Sequence, residues 1–282
     1  MQVRDALQGD PATRLERRLL LETVLERSHA WLAAHPEAVL SAPETARLEA
    51  LLARRAAGEP VAYLTGQREF YGLAFAVTPD VLIPRPETEG LVDWALTLLP
   101  PGAPATVLEL GTGSGAIAVA LQHHRPRLAL TAVDRSVAAL AVAEGNAARH
   151  HPSRSAPIRF LAGHWYGPVA GERFDLILSN PPYVALGDPH LRQGDLRFEP
   201  PLALAAGPDG LEALRPIVAG AARHLTAQGW LLLEHGHDQG PACQALLQDA
   251  GFTHITTRPD LAGLPRLTGG RAPLCSSSGH RS

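Results

Sequence analysis

Lysine is missing from this chain. All 25 basic residues are arginine, set against 28 acidic ones, for a formal net charge of −3. No block of like charge suggests a nucleic-acid tail. An enzyme that grips duplex DNA usually draws phosphate contacts from a basic surface, and no run of residues supplies one, so direct nucleic-acid binding is not expected. Cysteine is scarce: Cys243 and Cys275 are the only two, which argues against a disulfide framework and for a reducing compartment. No stretch of about 18 apolar residues is present, and the first residues carry Asp5 and Asp10 without a hydrophobic secretory core. A soluble, cytoplasmic protein with no membrane contact is expected. Among the 13 histidines, His123-His124, His150-His151 and His235-Gly236-His237 come in clusters. None has two further ligands at zinc-like spacing, so solvated or capping roles account for them and no metal site is expected.

With 282 residues and 45% hydrophobic content, the chain can bury a large core as one large or two smaller domains. The first part reads as helical. Leu15, Leu19, Leu20, Leu21, Val24 and Leu25 recur at helix spacing. Ser41 with Glu44 forms a capping box, with Pro43 in the first turn, opening a helix that carries Leu48, Leu51 and Leu52. Such stripes are more often core than partner surface. Phe70, Leu73, Phe75 and Val77 then suggest a short hairpin leading into Ile83-Pro84-Arg85-Pro86. These signals divide the chain into a helical domain with its linking hairpin at 1–80, a second domain at 81–270, and a loose tail at 271–282 that lacks apolar periodicity.

Two motifs carry the chemistry. The apolar run Phe174-Asp175-Leu176-Ile177-Leu178-Ser179 stops at Asn180-Pro181-Pro182-Tyr183, which reads as a buried strand ending abruptly in a loop. Pro181 and Pro182 have fixed φ and no N–H, and proline pushes Asn180 towards an extended conformation. The turn is stiff and rich in acceptors, including the Asn180 side-chain oxygen. Such a set suits a planar NH2 group, with Tyr183 as an aromatic wall. A proline-rich surface turn is the bland alternative. The second motif, Gly111-Thr112-Gly113-Ser114-Gly115, lies between Val107-Leu108-Glu109-Leu110 and Ala116-Ile117-Ala118-Val119-Ala120-Leu121. Strand, glycine turn and helix in that order bring backbone close to a ligand at a helix N-terminus. The ending lacks Gly-Lys-Ser/Thr, which excludes a Walker-type phosphate loop. A further strand, Leu128 to Val133, ends in Asp134, placed to accept ribose hydroxyls from a nucleotide-like cofactor or to cap the following helix.

A glycine turn with a ribose acid fits a hydride enzyme or an S-adenosylmethionine enzyme. The first needs an acid–base residue at the nicotinamide, the second only a nucleophile in line with a sulfonium methyl. In a doubly wound sheet both motifs open on the same carboxyl edge. Asn180-Pro181-Pro182-Tyr183 is similar to the fourth motif of amino methyltransferases, which act on the NH2 of adenine, cytosine or glutamine. The segments Arg55 to Gly66, Phe70-Tyr71-Gly72-Leu73 and Leu82-Ile83-Pro84-Arg85-Pro86-Glu87-Thr88-Glu89 resemble the release-factor glutamine N5-methyltransferases, the PrmC/HemK family. So do Asp188 to Leu191, Gly194 to Pro200, Ala203-Leu204 and Leu231 to Gly236. The resemblance covers roughly Glu44 to Leu261.

This resemblance implies an α/β, doubly wound, Rossmann-like class I methyltransferase sheet preceded by a small helical domain that recognises a protein substrate. It implies S-adenosyl-L-methionine as cofactor, with Gly111, Thr112, Gly113, Ser114 and Gly115 at its methionine part and ribose, Asp134 at the ribose hydroxyls, and Trp165 near the adenine. Trp165 also has an ordinary packing reading. The same likeness implies that Asn180 touches both cofactor and substrate, that the Asn180 side-chain oxygen and the Pro181 carbonyl hold the glutamine NH2, and that Pro182 and Tyr183 complete the substrate site. The expected partner is a peptide chain release factor, and a monomer is expected. Glu109 stands where the family usually has aspartate. From Leu264 to Gly270 the chain departs from the family pattern, so the last strand is expected to be short. Arg85, Glu87 and Glu89 have no role assigned beyond a wall between domains. Two other readings stay open: adenine-N6 methylation of DNA or RNA, which shares Asn-Pro-Pro-Tyr, and a cofactor-binding scaffold without catalysis.

Overall fold

A computed structural model of the protein describes residues 1–10, 13–150 and 157–273. His151, Cys275 and most of the expected tail lie outside the described residues. Backbone contacts divide the chain into two compact units, Met1–Gln67 with Arg192–Phe198, and Arg68–Leu191 with Glu199–Ser282.

The first unit is helical: α1 (Val3–Ala6), α2 (Arg14–Leu25), α3 (His29–Ala34), α4 (Ala42–Ala56) and α5 (Val61–Thr65). Ser41 caps α4 as its sequence requires. Its backbone N–H donates to Glu44 Oε2 at 2.7 Å, and the Glu44 N–H reaches back to Ser41 Oγ at 3.4 Å. Leu20, Leu21 and Val24 of α2 pack with Leu48 and Leu51 of α4 and Leu64 of α5 in one core. Leu15, included in the apolar stripe, is instead exposed. It lies one turn before Leu19, at the solvent end of the helix. Arg55 grips Glu16 with two bonds of 2.8 Å and reaches Asp195 at 3.2 Å, which brings the Arg192–Phe198 segment into this unit.

The second unit begins with a hairpin, β1 (Gln67–Phe70) and β2 (Leu73–Ala76). Tyr71 and Gly72 at its tip both have positive φ, 52° and 76°, the backbone that a two-residue hairpin turn demands. The expected boundary near residue 80 grouped this hairpin with the helices. The division falls at Gln67 because Phe70 and Phe75 are buried in the core of the following sheet.

That sheet is built from β3 (Ala105–Leu110), β4 (Leu128–Asp134), β5 (Arg159–Ala162), β6 (Phe174–Ser179), β7 (Leu225–Glu234), β8 (Thr253–Pro259) and β9 (Pro265–Arg271), in the spatial order β5-β4-β3-β6-β7-β9-β8. The first five are parallel, and β9 runs antiparallel between β7 and β8. Near-continuous apolar runs such as Leu176-Ile177-Leu178 follow from burial on both faces. Leu176 and Leu178 enter one core with Trp94 of α6 (Glu89–Leu98) and Ile117 of α7 (Ala116–His124). Ala147 of α8 (Val137–His150) joins the same core. Ile177 enters the opposite core with Ile217 of α10 (Leu214–His224) and Leu247 of α11 (Gly240–Asp249). A short α9 (Pro201–Leu204) follows the long loop after β6. This is the doubly wound arrangement.

The end of the chain is more regular than its sequence suggests. β9 is seven residues long and paired along both edges. Gly269 is required there: a Cβ would come within 2.5 Å of Leu232 Cδ2 and 2.8 Å of Trp94 Cη2. Arg271, assigned to the tail, closes β9, and the Ala272 N–H still donates to the Gly229 carbonyl at 2.8 Å.

Candidate active site

Leu110, the last residue of β3, pairs in register with Ser179, the last of β6. The Ser179 hydroxyl donates to the Leu110 carbonyl at 2.7 Å, pinning the two strand ends together. The glycine turn and the Asn-Pro-Pro-Tyr turn therefore leave neighbouring strands side by side. Their position is the point where strand order reverses, where open α/β sheets carry their ligand crevice. A cleft of about 400 Å³ opens here, lined by Gly111 to Ser114, Asp134, Trp165, Asn180 and Pro182 among others. Gly115, Pro181 and Tyr183 do not line it. Gly115, at φ +77°, starts α7, and a Cβ there would meet Ala143 Cβ at 3.0 Å. Pro181 is buried. Tyr183 turns its hydroxyl to Glu234 Oε1 at 3.3 Å and its carbonyl to Gln239 Nε2 at 3.0 Å.

Asp134 combines local structure with a free face. Its Oδ2 accepts the Gly113 N–H at 2.8 Å and its Oδ1 the Ser136 N–H at 2.9 Å. The helix cap itself is Ser136, whose Oγ takes the Ala139 N–H at 3.1 Å. Each carboxylate oxygen keeps a lone pair for a ligand hydroxyl. Beneath the turn, Glu109 is fully buried, its Oε2 accepting from the Thr112 hydroxyl at 2.7 Å and the Ala118 N–H at 3.1 Å. Burial pushes its carboxyl up to about 8, opposed by those two hydrogen bonds and assisted by the negative charge of Asp134.

The sign of the consequence is fixed. An unfolded glutamate releases its proton near 4.5, the folded one near 8, so the folded chain holds the extra proton between those values. Stability is then full below about pH 4.5 and is lost as pH rises through about 8. The shift corresponds to a loss on the order of 5 kcal/mol. Glu109→Gln, which cannot ionise, is expected to flatten the fall in stability between pH 6 and pH 9. Urea midpoints of both proteins at the two pH values test this, and parallel falls would mean that Glu109 is already ionised in the folded chain.

Trp165 adopts φ +47°, a backbone conformation that is uncommon outside glycine, and its indole lies over Gly111, 3.9 Å from where a Cβ would stand. It lines the cleft and packs on the core at once.

Several supporting residues escaped the sequence reading. Asn146 on α8 is wholly buried and fully bonded: its Nδ2 donates to the Ser114 carbonyl at 2.9 Å and the Ala76 carbonyl at 3.0 Å, and its Oδ1 accepts the Ala76 N–H at 2.7 Å. It stitches the glycine turn to the hairpin. A lone amide in the stripe Ala139, Ala143, Ala147 was the available signal, since buried polar groups are bonded. Arg85 pairs with the buried Glu199, which also accepts the Ile83 N–H at 3.1 Å. Glu89 accepts the Tyr71 N–H at 2.9 Å at the hairpin tip. Thr88 accepts from Asn180 Nδ2 at 3.0 Å. These contacts give the Ile-Pro-Arg-Pro-Glu-Thr-Glu run a role inside the second unit.

Comparison with known proteins matches residues 1–66 to the family model "PrmC N-terminal domain" and residues 93–192 to "Methyltransferase small domain". The release factor glutamine methyltransferase of Burkholderia pseudomallei is 51% identical over 272 residues, 95% of this chain and 95% of the relative. That of Bordetella pertussis is 52% identical over 269 residues, 95% and 98% of the two chains. This chain belongs to the release factor glutamine methyltransferase family. The fold agrees: a methyltransferase of Pyrococcus furiosus superposes with a TM-score of 0.53 at 19% identity, over 79% of this chain and 98% of that one.

For a member of this methyltransferase family, the cleft must suit S-adenosylmethionine. It offers backbone without side chains at Gly111 and Gly113, carboxylate lone pairs at Asp134 and an indole at Trp165, all on one cleft. No Cβ at Gly113 would meet anything within 4 Å, so its backbone faces open space. The donor set matches a charged, ribose-bearing, purine-bearing ligand. Among the described residues no helix is long and apolar enough to cross a membrane.

Proposed function

We propose that this chain transfers the methyl group of S-adenosylmethionine to the side-chain amide nitrogen, N5, of the glutamine in the Gly-Gly-Gln motif of peptide chain release factors, and so modulates translation termination. The pairing of Leu110 with Ser179 carries this reading, because it stands a cofactor turn beside an amide-holding turn on one sheet edge.

The chemistry follows from the weakness of the nucleophile. A carboxamide nitrogen has its lone pair delocalised into the carbonyl, and no side chain of ordinary pKa removes its proton beforehand. Bound S-adenosylmethionine would supply an electrophilic methyl on a positively charged sulfur, whose bond to the methyl breaks as the nitrogen bonds to it, the sulfur leaving as a neutral thioether. Gly111 to Ser114 would hold its methionine part and ribose through backbone, with Gly115 shaping the turn, Asp134 would accept the ribose hydroxyls, and Trp165 would flank the adenine. The Asn180 side-chain oxygen and the Pro181 carbonyl accept the two hydrogens of the glutamine NH2. That contact directs the nitrogen lone pair and stabilises the positive charge growing on it. Pro182 walls the amide plane, and Tyr183, outside the cleft lining, braces the turn from behind through Glu234 and Gln239. The nitrogen sheds its proton after transfer.

The helical unit, with its own core and its own family model, grips the folded release factor. The enzyme works as a cytoplasmic monomer without direct nucleic-acid contact. Incubation with methyl-labelled S-adenosylmethionine and, separately, release factor, DNA and RNA tests the proposal. Label is expected on the release factor and absent when its Gly-Gly-Gln glutamine is replaced. Label in nucleic acid would favour adenine methylation, and cofactor binding without transfer to any of them would favour a scaffold.

A further inference from the structure

The Asn180 side chain can be placed in two ways that differ only in which end of its amide faces the substrate. With the oxygen forward it accepts from a substrate NH2. With the nitrogen forward it repels one. Nothing in the Asn-Pro-Pro-Tyr turn itself decides between these, because proline removes the neighbouring N–H donors. The deciding contact comes from elsewhere in the second unit. Asn180 Nδ2 donates to Thr88 Oγ1 at 3.0 Å, and Thr88 is 5% exposed. Burial raises the Glu234 carboxyl to about 7, and the neighbouring Thr88 hydroxyl works against that rise by favouring the ionised form. A hydroxyl has one proton. Whenever that proton is turned to the ionised carboxyl, Thr88 is left an acceptor, which is the role it plays towards Asn180 Nδ2 and the one that selects the NH2 end of Asn180.

Glu234 ends β7, and its predecessor Leu233 pairs in register with Ser179, so carboxyl and turn meet on adjacent strands. It also receives the Tyr183 hydroxyl at 3.3 Å, while its Oε2 has no hydrogen-bond partner among the described residues. A buried carboxylate oxygen left unsatisfied is costly, and such atoms call for a functional account. Gln239 completes the brace, donating to the Tyr183 carbonyl at 3.0 Å while its own Oε1 accepts the Gly236 N–H at 2.9 Å.

We propose that Thr88 is a positioning residue that fixes the Asn180 amide with its oxygen towards the substrate, and that Glu234 acts through Thr88 and Tyr183 to hold the whole turn in that state. The proposal deepens the methyl-transfer reading and rests on it, but its geometry has a readout of its own.

Two measurements separate the two. The first needs no activity: in the wild-type protein the Asn180 side-chain NH2, observed by NMR, is expected to be protected from solvent exchange. In Thr88→Val, which keeps the shape and removes the hydroxyl, exchange should rise about tenfold for the loss of one hydrogen bond. The second is kinetic, at saturating cofactor on release factor. Thr88→Val should lower kcat by about 10- to 100-fold, since a misplacement of about 1 Å can cost 100-fold. Affinity for S-adenosylmethionine should change little, and Thr88→Ser should recover most of the rate. An Asn180 amide exchanging freely in the wild type overturns the proposal whether or not the protein methylates anything. So does a Thr88→Val enzyme with wild-type kcat, or a Thr88→Ser enzyme as slow as Thr88→Val. Wild-type failure to methylate release factor, with a protected Asn180 amide, overturns the methyl-transfer reading alone.

Discussion

Asn180→Ala is expected to lower turnover by on the order of 100- to 1,000-fold, the usual cost of deleting a preorganised contact aimed at developing charge. The side chain lines the cleft at the end of β6, one residue beyond the Ser179 hydroxyl that ties β6 to β3. Its removal leaves the strand pairing and the glycine turn in place, so cofactor binding should suffer far less than transfer. Asn180→Asp separates two explanations. It keeps an acceptor and the shape, loses the NH2 that Thr88 receives, and places a negative charge beside a cationic reaction. Charge alone argues for retained or faster transfer, whereas lost alignment argues for a deficit. The deficit is expected, because a poor nucleophile depends on alignment and because a carboxylate facing an accepting Thr88 hydroxyl would turn away or force that hydroxyl to reverse. Single-turnover methylation at saturating cofactor decides it. A near wild-type rate in Asn180→Ala would reduce this turn to a shaping element.

Trp94→Ala is expected to lower the unfolding free energy of the second unit by about 3–5 kcal/mol, the range for deleting a buried aromatic side chain. Trp94 is 2% exposed in the core beneath the sheet. Its ring covers Gly269 of β9, and the Arg258 guanidinium from β8 stands 4.2 Å from its centroid. One side chain thus holds α6, β8 and β9. Its loss opens a cavity that Gly269, lacking a side chain, cannot fill. Urea unfolding with an unchanged m-value and a lower midpoint is the expected result. A change below about 1 kcal/mol would mean that β8 and β9 are held by backbone pairing alone.

The two turns that meet at the cleft were legible because each is local: a glycine turn and a proline turn are written in consecutive residues. Asp134 and Trp165 were legible as positions on the same edge. What stayed hidden depends on contacts far apart in the chain. Asn146 reaches Ser114 across 32 residues and Ala76 across 70, and Thr88 reaches Asn180 across 92. No periodicity marks such pairs. Leu264 to Gly270 read as a short last strand because the run departs from the family pattern, and only the packing of Trp94 explains why glycine belongs at Gly269. The hairpin was legible, but its allegiance was not, since Phe70 and Phe75 do not say which core they enter. Leu15 shows the converse limit: it keeps helical spacing and lies in solvent.

The Leu110–Ser179 pairing has a kinetic side. The two strand ends are 69 residues apart, and parallel neighbours cannot be joined by a tight turn. Closing so long an intervening stretch costs chain entropy before any pairing rewards it, and contacts of this range are made slowly. A nascent or partly unfolded chain can hold the glycine turn and the Asn-Pro-Pro-Tyr turn as local structures, yet it has no assembled cleft until β6 docks on β3. Activity in this protein therefore arrives with the central strand pair, and regaining it after denaturation times the docking of that pair.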